Sequence, residues 1–250
     1  MILNKRGLKM KRLSYITSKV KQYIRYKLEK NPDAEDKARK LLEYNKNGKD
    51  ITEEIVDIVF DNDVDVNTIL SDLTKGFSID EIKLYLDKDF TEGQITYIRR
   101  GISEGLTEEQ IKYFANPDFA TAKMKIIEEA MANGLSLDKV KLFSEGNYNI
   151  PQQKELSKIL LEDNLTSEKF YVVANPQFNQ FKMEEIVDGF NNGLSLEEVD
   201  LYANPDFTVY QMQEIKRALL TKNENIINKI KEKYDFDIAA NAKIKRLVKC

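Results

Sequence analysis

The chain has 250 residues, 42% of them hydrophobic and 32% charged, with five prolines and a net charge of −3, which is the composition of a helix-rich globular protein. It has no histidine and no tryptophan, and its single cysteine is Cys250, so imidazole-activated nucleophiles, histidine proton shuttles, intramolecular disulfides and most zinc sites are excluded. No apolar run approaches the roughly 18 residues a membrane span needs, and the basic N-terminus lacks the apolar core of a secretory leader, so a cytoplasmic location is expected.

The first segment, residues 1–49, is basic. Residues 1–30 carry ten Lys and Arg against Glu29 alone, and 222–250 carry eight basic against four acidic residues, so the 191 residues between hold a net −16. A helix is predicted over 13–30, where Leu13, Ile16, Val20, Ile24 and Leu28 recur at helical spacing. Its cations, together with those preceding it, form the candidate anionic-partner site: Lys5, Arg6, Lys9, Lys11, Arg12, Lys19, Lys21 and Arg25. Such a site suits phosphates or an anionic membrane surface, without base readout, and equally suits docking on the chain's own acidic residues. A second helix is predicted over 32–46, with Pro32 in its first turn.

Residues 50–222 are built from a repeat. Units start at Gly76, Gly105, Gly134, Asn164 and Gly193, hence 29, 29, 30 and 29 residues apart, and 50–75 fits the same frame as a shortened sixth unit. Each opens with Gly or Asn, then Phe or Leu, then Ser or Thr: a residue that tolerates the left-handed end of one helix, followed by the cap of the next. Glu81, Gln110 and Glu198 complete capping boxes. Hydrophobic staples pair Phe77 with Ile82, Leu106 with Ile111, Leu135 with Val140, Leu165 with Phe170 and Leu194 with Val199.

In mid-unit stands Asn-Pro-x-Phe, three times intact, with Pro117, Pro176 and Pro205 ending the first helix. The second staple pairs Phe90 with Ile95, Phe119 with Met124, Phe178 with Met183 and Phe207 with Met212, and each of these Phe is expected to be buried. Tyr148 facing Gln153 departs from the pattern. The words are therefore turns and staples rather than a displayed recognition motif. Each unit becomes a short helix of about nine residues, a turn, and a helix of about thirteen. Gly101, Ala130, Gly189 and Ala218 mark close packing late in the second helix. The expected fold is all-α: a solenoid of five to six helical hairpins between helical terminal segments, because one hairpin cannot bury its own apolar face. Residues 223–250 are expected to close it, with Ile226, Ile227, Ile230, Tyr234, Leu247 and Val248 turned inward.

The repeat, "GLS.EEV..YANP.F...QM.EI..G", resembles helical repeats in proteins of phages, plasmids and conjugative elements of low-GC Gram-positive bacteria. The resemblance implies a mobile-element origin and brings no catalytic residues with it.

Asp61, Asp63 and Asp65, with Asp72 beyond, resemble the start of a calcium loop, but Val66 stands where the turn glycine belongs and Asp72 is a carbon shorter than the usual Glu. The repeat frame reads the segment as an acidic turn with an Asp cap. No phosphate-cradling glycine loop, metal-ligand cluster or nucleophile–base pair occurs, so no cofactor and no enzymatic activity is expected. The leading expectation is a protein-binding factor whose acidic repeats inhibit a host nucleic-acid-handling protein, in the manner of an anti-CRISPR or other anti-defence inhibitor. The alternatives are a nucleic-acid- or membrane-surface-binding protein anchored by its basic N-terminus, and a self-associating scaffold.

Overall fold

The computed structural model describes residues 18–86 and 89–234. They form fifteen α-helices and a short 3₁₀ turn, with no strand among the described residues. The chain divides into two compact units, Met1–Pro117 and Asp118–Cys250.

The first unit holds α1 (Ser18–Lys30), a 3₁₀ turn opened by Pro32, α2 (Glu35–Lys46), α3 (Glu53–Asp61), α4 (Val66–Lys75), α5 (Ile79–Leu86), α6 (Glu92–Ser103) and α7 (Glu108–Phe114). Helix α1 packs on α3 and α2 on α4, while α5 packs on α4, α6 and α7. Val20 and Ile24 of α1 are buried as their spacing predicts, whereas Leu13 and Ile16 lie outside the described residues.

The second unit holds α8 (Thr121–Ala132), α9 (Leu137–Ser144), α10 (Ile150–Glu162), α11 (Ser167–Val173), α12 (Gln180–Asn191), α13 (Leu196–Asp200), α14 (Val209–Leu220) and α15 (Glu224–Tyr234). The longer helices pack in chain order: α8 on α10, α10 on α12, α12 on α14, and α14 on α15.

Local chemistry sets the helix ends. Ser78, Thr107, Ser136, Thr166 and Ser195 each accept a hydrogen bond from the backbone N–H three residues on, at 3.2–3.4 Å. The three predicted boxes close: Ser78 N–H donates to Glu81 at 2.7 Å, Thr107 N–H to Gln110 at 2.9 Å, and Ser195 N–H to Glu198 at 2.8 Å. Gly76, Gly105, Gly134 and Gly193 are left-handed, with φ between +77° and +97°. In the unit with the extra residue the left-handed position is Asp163 (φ +50°) rather than the expected Asn164. The insertion therefore lies in the loop between Asp163 and Thr166 and leaves the helices in phase.

The Asn-Pro words are joints. The side chains of Asn175 and Asn204 accept from Gln177 N–H and Asp206 N–H, both at 3.0 Å, which closes an Asx turn. The prolyl carbonyls serve the preceding hairpin: Pro117 O accepts from Gln94 at 2.9 Å, Pro176 O from Gln152 at 2.9 Å, and Pro205 O from Lys182 at 2.6 Å. Met124, Met183 and Met212 are fully buried, each contributing about 2 kcal/mol of transfer free energy. Of the turn phenylalanines expected to be buried only Phe178 is; Phe119, Phe207 and Phe90, the last with its expected partner Ile95, are half-buried. A turn at the rim of the helical layer leaves ring surface over. On Phe119 the Lys123 ammonium lies 3.9 Å from the ring centroid, and Tyr234 stands 6.0 Å from Phe207. In the departing pair, Gln153 is buried and donates to Tyr148 O at 2.9 Å.

Size complementarity couples each long helix to the short helix after it. A Cβ on Gly101 would meet the Phe114 ring at 3.0 Å, and one on Gly189 would meet the Tyr202 hydroxyl at 1.8 Å. The equivalent positions in the repeat carry Ala130 and Phe143, then Ile159 and Val173, all buried, so a larger residue in one column goes with a smaller one in the other. In the first unit the same place holds fully buried Asp72, which accepts from Tyr85 Oη at 3.0 Å and from Arg99 at 2.5 and 2.6 Å.

The closing helix differs from expectation. Helix α15 has no buried residue: Ile226 is exposed, and Ile227, Ile230 and Tyr234 are half-buried. It is held by polar contacts, Lys233 and Tyr234 both reaching Glu214. Leu247 and Val248 lie outside the described residues.

Candidate protein-interaction face

The acidic charge is concentrated. Residues 162–214 hold eleven Asp and Glu against Lys169 and Lys182 alone. The packing of α10, α12 and α14 turns this stretch into a patterned surface.

Asn149, Asn179 and Thr208 cap these helices and set a common phase. Two residues after each cap come Pro151, Phe181 and Tyr210, all exposed, with Phe181 at 54% and Tyr210 at 68%. Six residues after each cap, one turn further along the same faces, come Glu155, Glu185 and Glu214. An apolar row thus borders a carboxylate row across three successively packed helices.

The carboxylates differ in how they are held. Burial pushes the Glu155 carboxyl up, and the nearby Glu184 and Glu162 charges push it further, against Lys158 at 3.7 Å. Glu185 accepts from Gln213 at 2.6 Å and from Lys216 at 2.5 Å, and Lys216 also reaches Asp188. Hydrogen bonds from Lys233 and then Tyr234 hold the Glu214 carboxyl below its ordinary range. Glu184 is exposed and forms no ion pair among the described residues. Tyr171 of α11 is 65% exposed, its ring 5.9 Å from Phe170 in an edge-on contact.

The basic candidate residues are only partly described. Lys5, Arg6, Lys9, Lys11 and Arg12 lie outside the described residues. In α1, Lys19 stands 3.2 Å from Glu53, while Lys21 and Arg25 form no ion pair among the described residues. Lys27 of α1 also binds α3, at 2.7 Å from Asp57 and 2.6 Å from Asp61, and Tyr23 donates to Asp57 at 2.7 Å. Burial opposes its charge, but the bonds to Asp57 and Asp61 win and raise its pKa. Part of the positive charge on this helix is therefore spent inside the first unit.

The calcium-like segment is occupied by structural work. Asp65 caps α4, accepting from Asn67 N–H at 3.2 Å, and Asp72 is enclosed with Arg99 and Tyr85. The cleft beside it, about 350 Å³, is lined by Asp33, Asp36, Lys37, Lys40 and Asp65 among others. Its lysines are engaged, Lys37 with the carbonyls of Phe60 and Asn62, Lys40 with Asp36 and Asp65. Among the described residues no group of three or more Cys, Asp or Glu is placed to hold a metal ion, and no helix is long and apolar enough to cross a membrane.

Pro151, Phe181 and Tyr210 are not among the site residues expected from the sequence. The signal was available: counting from the second cap of each repeat places an aromatic on the polar face twice in succession. No protein-family model, curated protein or solved structure matches the chain.

Proposed function

We propose that this chain is a non-enzymatic protein-binding factor that uses its acidic helical repeats to occupy a basic groove on a nucleic-acid-handling protein. The observation that carries the reading is the acidic excess of residues 162–214, eleven acidic against two basic and only partly offset by lysines paired from outside the stretch, on successively packed helices beside exposed aromatic rings. A groove built for phosphates attracts such a surface over long range, and occupying it excludes nucleic acid. Inhibition follows from competition, without chemistry on the chain itself. Together with the resemblance of its repeat to those of phage and mobile-element proteins, this makes the chain an anti-defence inhibitor, with a host nuclease such as a CRISPR effector as its target.

The test is affinity capture from bacterial lysate, with and without nuclease treatment, using the full chain as bait, followed by activity assays on the captured protein. A nucleic-acid-binding protein whose activity falls stoichiometrically with added chain is the expected result. Recovery of nucleic acid alone, lost on deleting residues 1–30 and weakened steeply by salt, would instead assign binding to the basic N-terminus.

A further inference from the structure

We infer that the row of Pro151, Phe181 and Tyr210, with Glu184 and the carboxylates beside it, is a docking surface for an arginine-rich protein segment. This deepens the preceding reading by naming the surface and the side chain it selects.

Two aromatic rings more than half exposed, at equivalent places on neighbouring helices, are not required by the fold, whose core is filled by other columns. Lysine would satisfy the carboxylates alone. Arginine satisfies both features, because its planar guanidinium stacks on an aromatic face while donating in bidentate fashion to a carboxylate. Phe181 and Glu184 are three residues apart on one helix and so lie on one face, the arrangement that offers a single guanidinium a ring and an acid together. Neighbouring packed helices are about 8–10 Å apart, a step that three residues of extended chain cover. A segment in the polyproline II conformation, with three residues and about 9 Å per turn, puts arginines three residues apart on one face and therefore matches the rings of α12 and α14.

The charge argues against other occupants. Lys139, Lys216, Lys222 and Lys233, from outside residues 162–214, pair with Asp163, Glu185, Asp188, Glu198 and Glu214, yet the eleven acidic residues still outnumber these four and the stretch's own Lys169 and Lys182, an excess that repels nucleic acid and anionic membrane alike. Two copies of the same row would bring like charges face to face. The raised pKa of Glu155, due first to burial and then to the Glu184 and Glu162 charges, fits the same picture, since the like-charge part is relieved when an external cation arrives.

The experiment uses the full chain with two fluorescent peptides, nona-arginine and nona-lysine, measured by anisotropy at physiological salt. Nona-arginine is expected to bind about tenfold more tightly than nona-lysine. The double variant F181A/Y210A, altered only at exposed side chains, is expected to lose that preference while binding nona-lysine as before and keeping its helical circular dichroism. Variant E184K is expected to weaken both peptides. Equal binding of the two peptides, or a preference that survives F181A/Y210A, overturns the docking row and leaves the acidic-surface reading standing. Absence of binding by either peptide sinks both. Concentration-dependent dimerisation abolished by F181A/Y210A overturns the inference by assigning the row to self-association.

Discussion

Replacing Gly189 by alanine isolates the packing between a long helix and the short helix that follows it. Gly189 is buried in α12, and a Cβ there would lie 1.8 Å from the Tyr202 hydroxyl, 3.1 Å from its Cζ and 3.4 Å from a Leu194 methyl. Tyr202 has no accessible surface and donates to Glu185 O at 3.2 Å, so its ring has nowhere to swing. Alanine gains about 1 kcal/mol of helix propensity. Overpacking costs about 1–3 kcal/mol, and the displaced hydroxyl loses a bond of about 1 kcal/mol. The expected net loss for G189A is about 2 kcal/mol. Y202F alone should lose about 1 kcal/mol, the hydrogen bond. In G189A/Y202F the hydroxyl clash is gone, the propensity gain offsets the lost bond, and stability should return to within about 1 kcal/mol of the parent. The chain already contains that combination, Ala130 with fully buried Phe143, at the equivalent place two hairpins earlier. Urea denaturation followed by far-ultraviolet circular dichroism measures all four corners of the cycle. Additive effects of the two substitutions, or a G189A protein as stable as the parent, would refute the reasoning.

Gln152→Ala removes a buried side chain that closes the Asn149 capping box and donates to Pro176 O at 2.9 Å and Phe178 O at 2.6 Å; a loss of about 2–3 kcal/mol in the same assay is expected. Asp72→Ala leaves the Arg99 guanidinium, one quarter exposed, without its carboxylate, and should cost the first unit about 3 kcal/mol, with partial recovery in D72A/R99M. For Glu155 the folded pKa lies above the ordinary carboxyl value, so its charged form costs stability at neutral pH and the cost fades as pH falls through the raised pKa. E155Q should therefore unfold at higher urea than the parent at neutral pH, and the difference should vanish below the carboxylate range; a difference that grows on acidification would reverse the assigned sign.

The helices and their ends were legible in the sequence because they are decided within a few residues. A serine or threonine cap, a left-handed glycine and an apolar pair five residues apart interact locally, and all five first caps and four of the five left-handed positions stand where the pattern puts them. Asp163 displaced Asn164 because the loop with the extra residue had two places for the same backbone geometry. The Met side of the second staple was equally legible, Met124, Met183 and Met212 being fully buried. Burial of its Phe side was not, since coverage of a ring in a turn depends on distant neighbours: Phe207, with Tyr234 of the polar-anchored α15 beside it, stays half-buried, whereas Phe178 is enclosed. Tertiary structure alone decided that Asp72 would find Arg99 twenty-seven residues away, and that prolyl carbonyls would bind the preceding hairpin. It also decided the candidate face. Phe181 and Tyr210 sit on different helices, twenty-nine residues apart in the chain, and become one row only because α12 packs on α14 in the phase their caps impose.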